Sequence, residues 1–449
     1  MAPTGSLQNL QHRIRRAHPL RWTMCRSLSS MEHAPAEEIT RFQESRLRRL
    51  VQVAAAQSPF YRDWFAEARI DPRSIRTIGD LGRLPLLDRA DLVENPGRFC
   101  VYPRRLMWPA HSSGTSGRPV TTFRTPGSST FELSILERQW RWFGLPAGAR
   151  RVILRGSDFY ADRQQGVPVK HVAGGRQLWV SSYHLTPQNV PGILDRIRHF
   201  RPQAVEGWPS SIALLAALLR DRGECLPVTA VITSSEMTTP SQRSLIRAVF
   251  AGPIVDHYGQ TERVAMAGAC ESGGYHIFPD YGIVELLPVE GVPDRWEIVG
   301  TALHNWGFPL FRYRTGDEVG PAPAVPCPCG RRFALIGPVD GRTEDTFTAA
   351  DGRLLPLPAT VIDDLTGLRE AQIAQLAPGR FEIRIVPDTG FDSDAVELKA
   401  RRNVDRLFGP GQEVTLRALP AIPRPPSGKL KAAVVENRGA GHRRPAVRY

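Results

Sequence analysis

The sequence predicts an α/β protein with a large N-terminal domain and a small, mobile α+β C-terminal domain. Between residues 151 and 257, short apolar runs alternate with helical patterns, which is typical of a mostly parallel sheet covered by helices. After residue 273 the apolar runs become closely spaced, which predicts a β subdomain. At 449 residues the chain also exceeds the size at which one hydrophobic core stops growing. We therefore expect more than one domain.

The composition of the chain and the positions of its turn-forming residues suggest where these domains begin and end. An amphipathic helical pattern opens at Glu37 and is broken at Ser58-Pro59, and a Gly341-Arg342 turn separates the last hundred residues. Both chain ends are rich in arginine and turn formers, so we expect them to be solvated. The predicted segments are a basic arm (1–36), a large domain (37–341), a C-terminal lid domain (342–437) and a basic tail (438–449).

Individual elements follow from the periodicity of apolar residues. In the central region the predicted strands are 151–155, 204–206, 230–233 and 254–257, and the predicted helices are 190–199, 211–221 and 240–250. In the β subdomain the predicted strands are 275–278, 282–287, 296–299 and 308–312. In the small domain the predicted helices are 360–366 and 393–407, and the predicted strands are 381–386 and 413–419.

The net charge of +13 raises the alternative of a basic scaffold that binds nucleic acid or anionic lipid. The 58 basic residues include only four lysines, Lys170, Lys399, Lys429 and Lys431, and the arginines are spread along the chain. A general arginine bias explains this better than a binding patch, so we expect no specific nucleic acid partner. No apolar run reaches about eighteen residues, so no membrane span is expected. Six unevenly placed cysteines suit a cytoplasmic protein.

A glycine- and hydroxyl-rich stretch after His111 can cradle phosphate groups. Glycines let the backbone approach an anion, and the hydroxyl and amide groups can donate to phosphate oxygens. No Gly-Lys-Ser/Thr follows at Walker spacing, and a flexible turn remains the alternative. The candidate phosphate-binding residues are Ser112, Ser113, Gly114, Thr115, Ser116, Gly117 and Arg118.

Four further motifs offer groups that suit a nucleotide. In residues 256–262, Tyr258 can stack on a base, Thr261 can contact a phosphate and Glu262 can hold Mg²⁺. In residues 311–317, Asp317 can accept both ribose hydroxyls; a salt-bridged strand end is the alternative. Residues 341–345 predict an interdomain turn, and residues 426–431 predict a mobile loop that presents the Lys429 ammonium group.

Three cysteines and one histidine form a candidate metal site. Three thiols and an imidazole are a ligand set that suits structural Zn²⁺. Free thiols beside a surface histidine are the alternative. The residues are Cys270, His276, Cys327 and Cys329.

The five motifs, in this order and with these separations, resemble the adenylate-forming superfamily of acyl-CoA synthetases, nonribosomal adenylation domains and luciferases. Three segments, 258–264, 274–282 and 327–331, resemble the phenylacetate-CoA ligase family and its capsule-biosynthesis-type members. The resemblance covers about residues 60–435.

The resemblance implies a role for each matching residue. The loop 112–117 would grip the β- and γ-phosphates, with Arg118 in place of the usual lysine. Glu344 would be the hinge, where the family usually has Asp or Lys. Lys429 would bridge the carboxylate and the α-phosphate, and Glu262 would bind Mg²⁺. The remaining nucleotide-binding residues would be Ser234, Ser235, Glu236, Tyr258, Gly259, Thr261, Asp317 and Arg342.

The implied reaction uses ATP and Mg²⁺ to activate a carboxylic acid as an acyl-adenylate, with release of pyrophosphate and transfer to CoA. Transfer of AMP or of the acyl group to a hydroxyl or amine, in polysaccharide or secondary-metabolite biosynthesis, is the alternative. Trp208 would suit an aromatic acid, and a monomer or homodimer is expected. The predicted acid pocket comprises Gly207, Trp208, Pro209 and His257.

Overall fold

The computed structural model describes residues 5–111, 120–155, 167–342, 347–351, 354–355, 358–362, 364–424 and 430–436. These residues form the following α-helices: α1 (Gly5–Ala17), α2 (Arg21–Met31), α3 (Ala36–Gln57), α4 (Pro59–Glu67), α5 (Arg89–Glu94), α6 (Pro126–Trp142), α7 (Val190–Phe200), α8 (Pro209–Arg220), α9 (Pro240–Phe250) and α10 (Ser393–Phe408). Within the described ranges, none of the helices combines the length and the apolar character that crossing a membrane would require.

The largest sheet has eight strands in the order β10-β9-β8-β7-β6-β3-β5-β4. Its strands are β3 (Arg151–Arg155), β4 (Val169–Val172), β5 (Gln177–Ser181), β6 (Ala204–Gly207), β7 (Ala230–Ser234), β8 (Ile254–Gly259), β9 (Met266–Ala269) and β10 (Tyr275–Ile277). The five central strands, from β5 to β8, are parallel, and the pairs at both edges are antiparallel. This confirms the mostly parallel sheet that the alternation of apolar runs and helices predicts.

Two smaller sheets complete the α/β architecture. An antiparallel sheet comprises β11 (Gly282–Pro288), β12 (Trp296–Ala302), β13 (Tyr313–Val319) and β14 (Val339–Arg342). A C-terminal mixed sheet has the order β19-β18-β17-β20, with β17 (Leu368–Ala377), β18 (Arg380–Pro387), β19 (Glu413–Ala418) and β20 (Ala433–Val435). Two short hairpins are β1 (Trp108–His111) with β2 (Thr121–Arg124), and β15 (Phe347–Thr348) with β16 (Leu354–Leu355).

Local sequence signals explain where helices near the site begin. Thr125 caps α6 by accepting a hydrogen bond from the Ser128 N–H, and a proline occupies its first position. Thr239 and Gln242 form a capping box at the start of α9. Each helix therefore starts at the end of a strand or loop that faces the interior.

The predicted strand 308–312 is wrong, and β13 begins only at Tyr313. Phe308 and Phe311 are buried in the core, but Arg312 has a left-handed backbone with φ 47°, which a strand does not accommodate. The apolar run at 308–312 reflects the burial of its side chains in the core and not a strand. The predicted helix 360–366 is also wrong, because a short 3₁₀ turn, Pro358–Val361, lies there. Helix α6 and strand β17 were not predicted.

The basic N-terminal segment is not the solvated arm that its composition predicts. Its described residues form α1 and α2, which both pack against α6. Arg21 donates to Glu137 of α6, and Arg16 pairs with the same carboxylate at 3.6 Å; the Glu137 side chain is 1% exposed. The arginines are spaced along an amphipathic helix and meet a buried carboxylate, so the segment is part of the large domain.

Candidate active site

A large cavity opens at the carboxyl ends of β6, β7 and β8, facing the β11–β14 sheet and the C-terminal sheet. Its volume is about 1360 Å³. Open α/β sheets bind ligands outside the carboxyl ends of their strands, so this is the expected place for a site. Nine of the predicted site residues line it together: Trp208, Ser234, Ser235, Glu236, His257, Tyr258, Gly259, Thr261 and Asp317.

A tyrosine and a carboxylate from two different sheets meet at one edge of the cavity. The Tyr258 hydroxyl at the end of β8 donates to Asp317 Oδ2 in β13 at 2.7 Å. Burial, and then the nearby Asp317 charge, raise the pKa of Tyr258 well above its ordinary value, so the phenol keeps its proton. Asp317 pairs in backbone register with Arg342 of β14. A flat ring therefore lies next to an oriented carboxylate.

Glu262 has one buried carboxylate oxygen that is not used by the described residues. Glu262 is 4% exposed, and its Oε1 accepts a hydrogen bond from the Tyr313 hydroxyl at 3.1 Å. Oε2 is buried and has no hydrogen-bond partner in the described part of the chain. A buried carboxylate oxygen without a donor is costly, and it is a ligand that Mg²⁺ accepts. The adjacent Thr261 lines the cavity.

Glu236 connects the large sheet to the C-terminal segment. Its Oε2 accepts a hydrogen bond from the Ser210 backbone N–H, and its Oε1 accepts one from the Leu430 backbone N–H, each at 3.1 Å. Leu430 and Lys431 also line the cavity. The residue that precedes Leu430 in the chain is Lys429, which lies outside the described residues.

The cavity continues between α6 and one face of the large sheet. Leu133, Leu136 and Trp140 share one face of α6 because they are three and four residues apart. Opposite them, Ile153 of β3 pairs in register with Trp179 of β5. All five side chains line the cavity. This extension has the apolar, aromatic walls of a pocket for an organic acid.

Two predicted pocket residues do not line the cavity. Pro209 is buried as the first residue of α8. Gly207 lies against β3, where an added Cβ would come within 3.0 Å of Leu154 Cβ. Trp208 lies between Gly207 and Pro209, in the turn from β6 to α8, and it does line the cavity.

Other cavity residues were not predicted from the sequence. They are charged or aromatic side chains of α1, β2, α6 and β3, namely Arg15, Arg124, Glu132, Trp140 and Arg151. For Arg151, the available sequence signal was an arginine at the start of an otherwise apolar strand. The predicted residues 112–118, Glu344 and Lys429 lie outside the described residues, as does the side chain of Arg342.

The predicted metal residues come together. The ligand atoms of Cys270, His276, Cys327 and Cys329 lie within 4.8 Å of one another. Cys270 Sγ is 3.4 Å from Cys327 Sγ, and Cys329 Sγ is 3.4 Å from His276 Nε2. His276 Nδ1 lies 2.9 Å from the Phe333 carbonyl oxygen, which selects the tautomer with a lone pair on Nε2. The donor set and its spacing fit a tetrahedral zinc ion.

Comparison with known proteins agrees with this architecture. A phenylacetate-coenzyme A ligase from Thermus thermophilus is 27% identical over 446 residues, covering 89% of this chain and 97% of the relative. The protein CapK from Staphylococcus aureus is 20% identical over 407 residues, covering 88% and 89%. The crystal structure of a 2-hydroxyisobutyryl-CoA ligase in the postadenylation state has a TM-score of 0.72 at 21% identity, covering 91% of each chain. No family model matches the sequence.

The fold is the one found in adenylate-forming CoA ligases. Over most of its length the chain is similar in sequence to phenylacetate-coenzyme A ligases and to the protein CapK.

Proposed function

We propose that this protein uses ATP to activate a carboxylic acid as an acyl-adenylate, releasing pyrophosphate, and then transfers the acyl group to CoA. The observation that carries the proposal is that Tyr258, Asp317 and residues 430–433 line one cavity. The relatives named phenylacetate-coenzyme A ligase support the reaction, as does the solved neighbour that contains an acyl-AMP. Six free thiols suit a cytoplasmic location.

In this proposal the nucleotide lies along the carboxyl ends of the strands. Tyr258 stacks on the adenine beside Ser234, Ser235 and Glu236, and Asp317 accepts the ribose hydroxyls with Arg342 beside it. Thr261 contacts the α-phosphate. The hydroxyl-rich loop 112–117, followed by Arg118, binds the β- and γ-phosphates. The lining of the cavity by Tyr258 and Asp317 supports this orientation.

The chemistry requires neutralisation of two reactants of like charge. A carboxylate must attack a polyanion, so its approach depends on positioning and on cations that offset the repulsion. Mg²⁺ held by Glu262 would supply charge neutralisation at the phosphates, and the unpartnered Oε2 supports this ligand role. Lys429 then stabilises the charge that develops on the α-phosphoryl oxygens as pyrophosphate leaves.

Contacts between α8 and the C-terminal sheet support a lid that can dock and release, with Glu344 as its hinge. Arg220 of α8 donates to Asp388 at 2.7 and 2.9 Å, and Arg369 of β17 pairs with Asp388 and with Asp221. The Arg220 side chain is 38% exposed. Exposed pairs are individually weak, so they can hold one arrangement without preventing rotation to another.

We also propose that Cys270, His276, Cys327 and Cys329 bind a structural zinc ion. Purified protein is expected to contain about one zinc per chain by elemental analysis, and Cys327→Ser is expected to lower that content and the melting temperature, because a closed site stabilises the fold that binds the ion. The matched control is Cys225→Ser, which changes an exposed thiol outside the cluster. Wild-type protein that is metal-free and unaffected by chelators would contradict the zinc site.

A panel of carboxylic acids assayed for ATP–pyrophosphate exchange tests the main proposal. We expect exchange to depend on the acid, because the adenylate forms only when a carboxylate attacks the α-phosphate. Adding CoA is expected to convert a productive acid to its thioester, detected by mass spectrometry, with release of AMP. Absence of exchange with every acid would refute activation as an adenylate.

A second candidate, left open by the resemblance to capsule-biosynthesis-type members, is passage of the acyl group or AMP to a hydroxyl or amine instead of CoA. The same panel distinguishes the two. Acid-dependent exchange without thioester formation would favour a different acyl acceptor, and AMP found covalently on an acceptor would favour nucleotidyl transfer.

A further inference from the structure

The wall of the acid pocket carries more positive charge than its own carboxylates compensate. On the side of the cavity formed by α1, β2, α6, β3, β6 and Arg263, four arginines and two glutamates line it, an excess of two positive charges on that side; they are Arg15, Arg124, Arg151, Arg263, Glu132 and Glu206. Arg263 pairs with Glu132, and Arg151 pairs with Glu206. Both glutamates are thus engaged by Arg263 and Arg151, whereas Arg15 belongs to α1.

Buried hydrogen-bond donors along this wall lack acceptors. The Nε atoms of Arg15 and Arg124 and the indole Nε1 of Trp140 are all buried, with no hydrogen-bond partner among the described residues. Trp140 is 3% exposed and lines the cavity. Donors buried without acceptors are unfavourable, so an acceptor that a ligand brings to this wall would be stabilised there.

The pKa values of Arg15 and Arg124 show that both guanidinium groups are buried near other positive charges. Burial lowers the pKa of Arg15, and the charge of Arg263 lowers it further. Burial also lowers the pKa of Arg124 to about 10, with Arg263 acting in the same direction. Arg124 donates to the Thr261 carbonyl oxygen at 3.2 Å, so it belongs to the end of the pocket next to the reaction centre. Arg15 lines the same cavity from α1.

The walls on either side determine the shape of the molecule that fits. The Arg151 guanidinium lies 4.3 Å from the centre of the Trp140 ring, so the charged and aromatic surfaces are continuous. Ile153, Leu133 and Trp179 add apolar surface to the same cavity. A ligand with an apolar middle and an acidic group at each end would use every part of this lining.

We propose that the substrate is a dicarboxylic acid, and that Arg15 of α1 binds its second carboxylate with the Trp140 N–H. One carboxylate is activated beside Thr261, and the apolar body lies between α6 and the sheet. Helix α1 is thereby part of the active site and sets specificity. The inference rests on the proposed acid activation and names its substrate class.

Paired acids that differ only in the second carboxylate test this inference. Phenylacetate is compared with 3- and 4-carboxyphenylacetate, and butyrate with succinate, in ATP–pyrophosphate exchange. Wild-type kcat/KM is expected to be at least about tenfold higher for the diacid of the best pair, since a charge-assisted hydrogen bond is worth about that factor or more. Arg15→Gln is expected to abolish the preference, measured as the ratio of diacid to monoacid kcat/KM, mainly through a higher KM for the diacid.

Two further variants separate binding from structure. Trp140→Phe keeps an aromatic ring and removes the N–H, so it is expected to lower the ratio of diacid to monoacid kcat/KM several-fold. Arg13→Gln changes an exposed arginine of the same helix and is expected to leave both acids unchanged. Equal loss with both acids in Arg15→Gln, or a wild-type preference for monoacids, would overturn the proposal.

A binding measurement keeps this inference separate from the proposed reaction. Calorimetric titration of the diacid into wild-type protein with Mg²⁺ and a non-hydrolysable ATP analogue is expected to show binding that Arg15→Gln weakens at least tenfold. If no acid supports exchange, the activation chemistry fails, and this titration still decides the anion site. Equal affinity of wild-type and Arg15→Gln proteins for the diacid would refute it.

Discussion

Glu262→Gln is expected to lower the rate of acid-dependent ATP–pyrophosphate exchange by about 100- to 1000-fold, the range found when one group that stabilises transition-state charge is removed. The amide keeps the size of the side chain and can still accept from Tyr313, but it removes the negative charge that would hold Mg²⁺. The variant is expected to need a higher Mg²⁺ concentration for half-maximal exchange.

The measurement is a Mg²⁺ titration of exchange with the most active acid. Tyr313→Phe is the matched control, because it removes the hydroxyl that bonds to Glu262 Oε1 and leaves the carboxylate in place. A loss of no more than about tenfold is expected for it, the value of one neutral hydrogen bond. If Glu262→Gln keeps both the wild-type rate and the wild-type Mg²⁺ dependence, Glu262 does not bind the metal.

Arg138→Ala is expected to reduce the free energy of unfolding by about 3–5 kcal/mol, the cost of breaking a buried ion pair. Arg138 and Asp280 both have side chains that are 0% exposed. The guanidinium donates to both carboxylate oxygens and to the Leu28 carbonyl, and it lies about 5 Å from the Phe278 and Phe333 rings. Removing it leaves Asp280 charged, buried and without its partner.

Urea unfolding followed by fluorescence measures this loss. Arg141→Ala, on the exposed side of the same helix, is expected to change the free energy of unfolding by no more than about 0.5 kcal/mol. The double variant Arg138→Met, Asp280→Leu is expected to recover part of the stability, since an apolar pair of similar volume has no desolvation cost. A loss under 1 kcal/mol for Arg138→Ala would show that the buried pair contributes little.

The ion pair also clarifies what the 274–282 motif does. Asp280 lies in the segment whose resemblance to the phenylacetate-CoA ligase family was evident from the sequence. In the structure its carboxylate joins α6 and α2 to the β subdomain through Arg138 and does not line the cavity. A motif that identifies a family therefore contains residues that maintain the fold as well as residues that face the substrate.

The sequence by itself determined the parallel sheet, the cysteine and histidine cluster and several residues that line the cavity, because these depend on local periodicity and on short motifs. Tyr258 and Glu262 lie within five residues of each other, so one segment was enough to find them. Only the tertiary structure shows which side chains line the proposed acid pocket. Arg15, Trp140 and Arg151 are far apart in the chain and belong to a helix end, a helix face and a strand.

No local pattern distinguishes such residues from ordinary amphipathic surface. Arg15 follows the same spacing as a solvated helical arginine, and only the packing of α1 on α6 brings it to the cavity. Packing on α6 likewise explains why the described part of the basic N-terminal segment is not a solvated arm. Charge can be counted from composition, but whether it faces water, a buried carboxylate or a substrate depends on long-range contacts that form only when the chain folds.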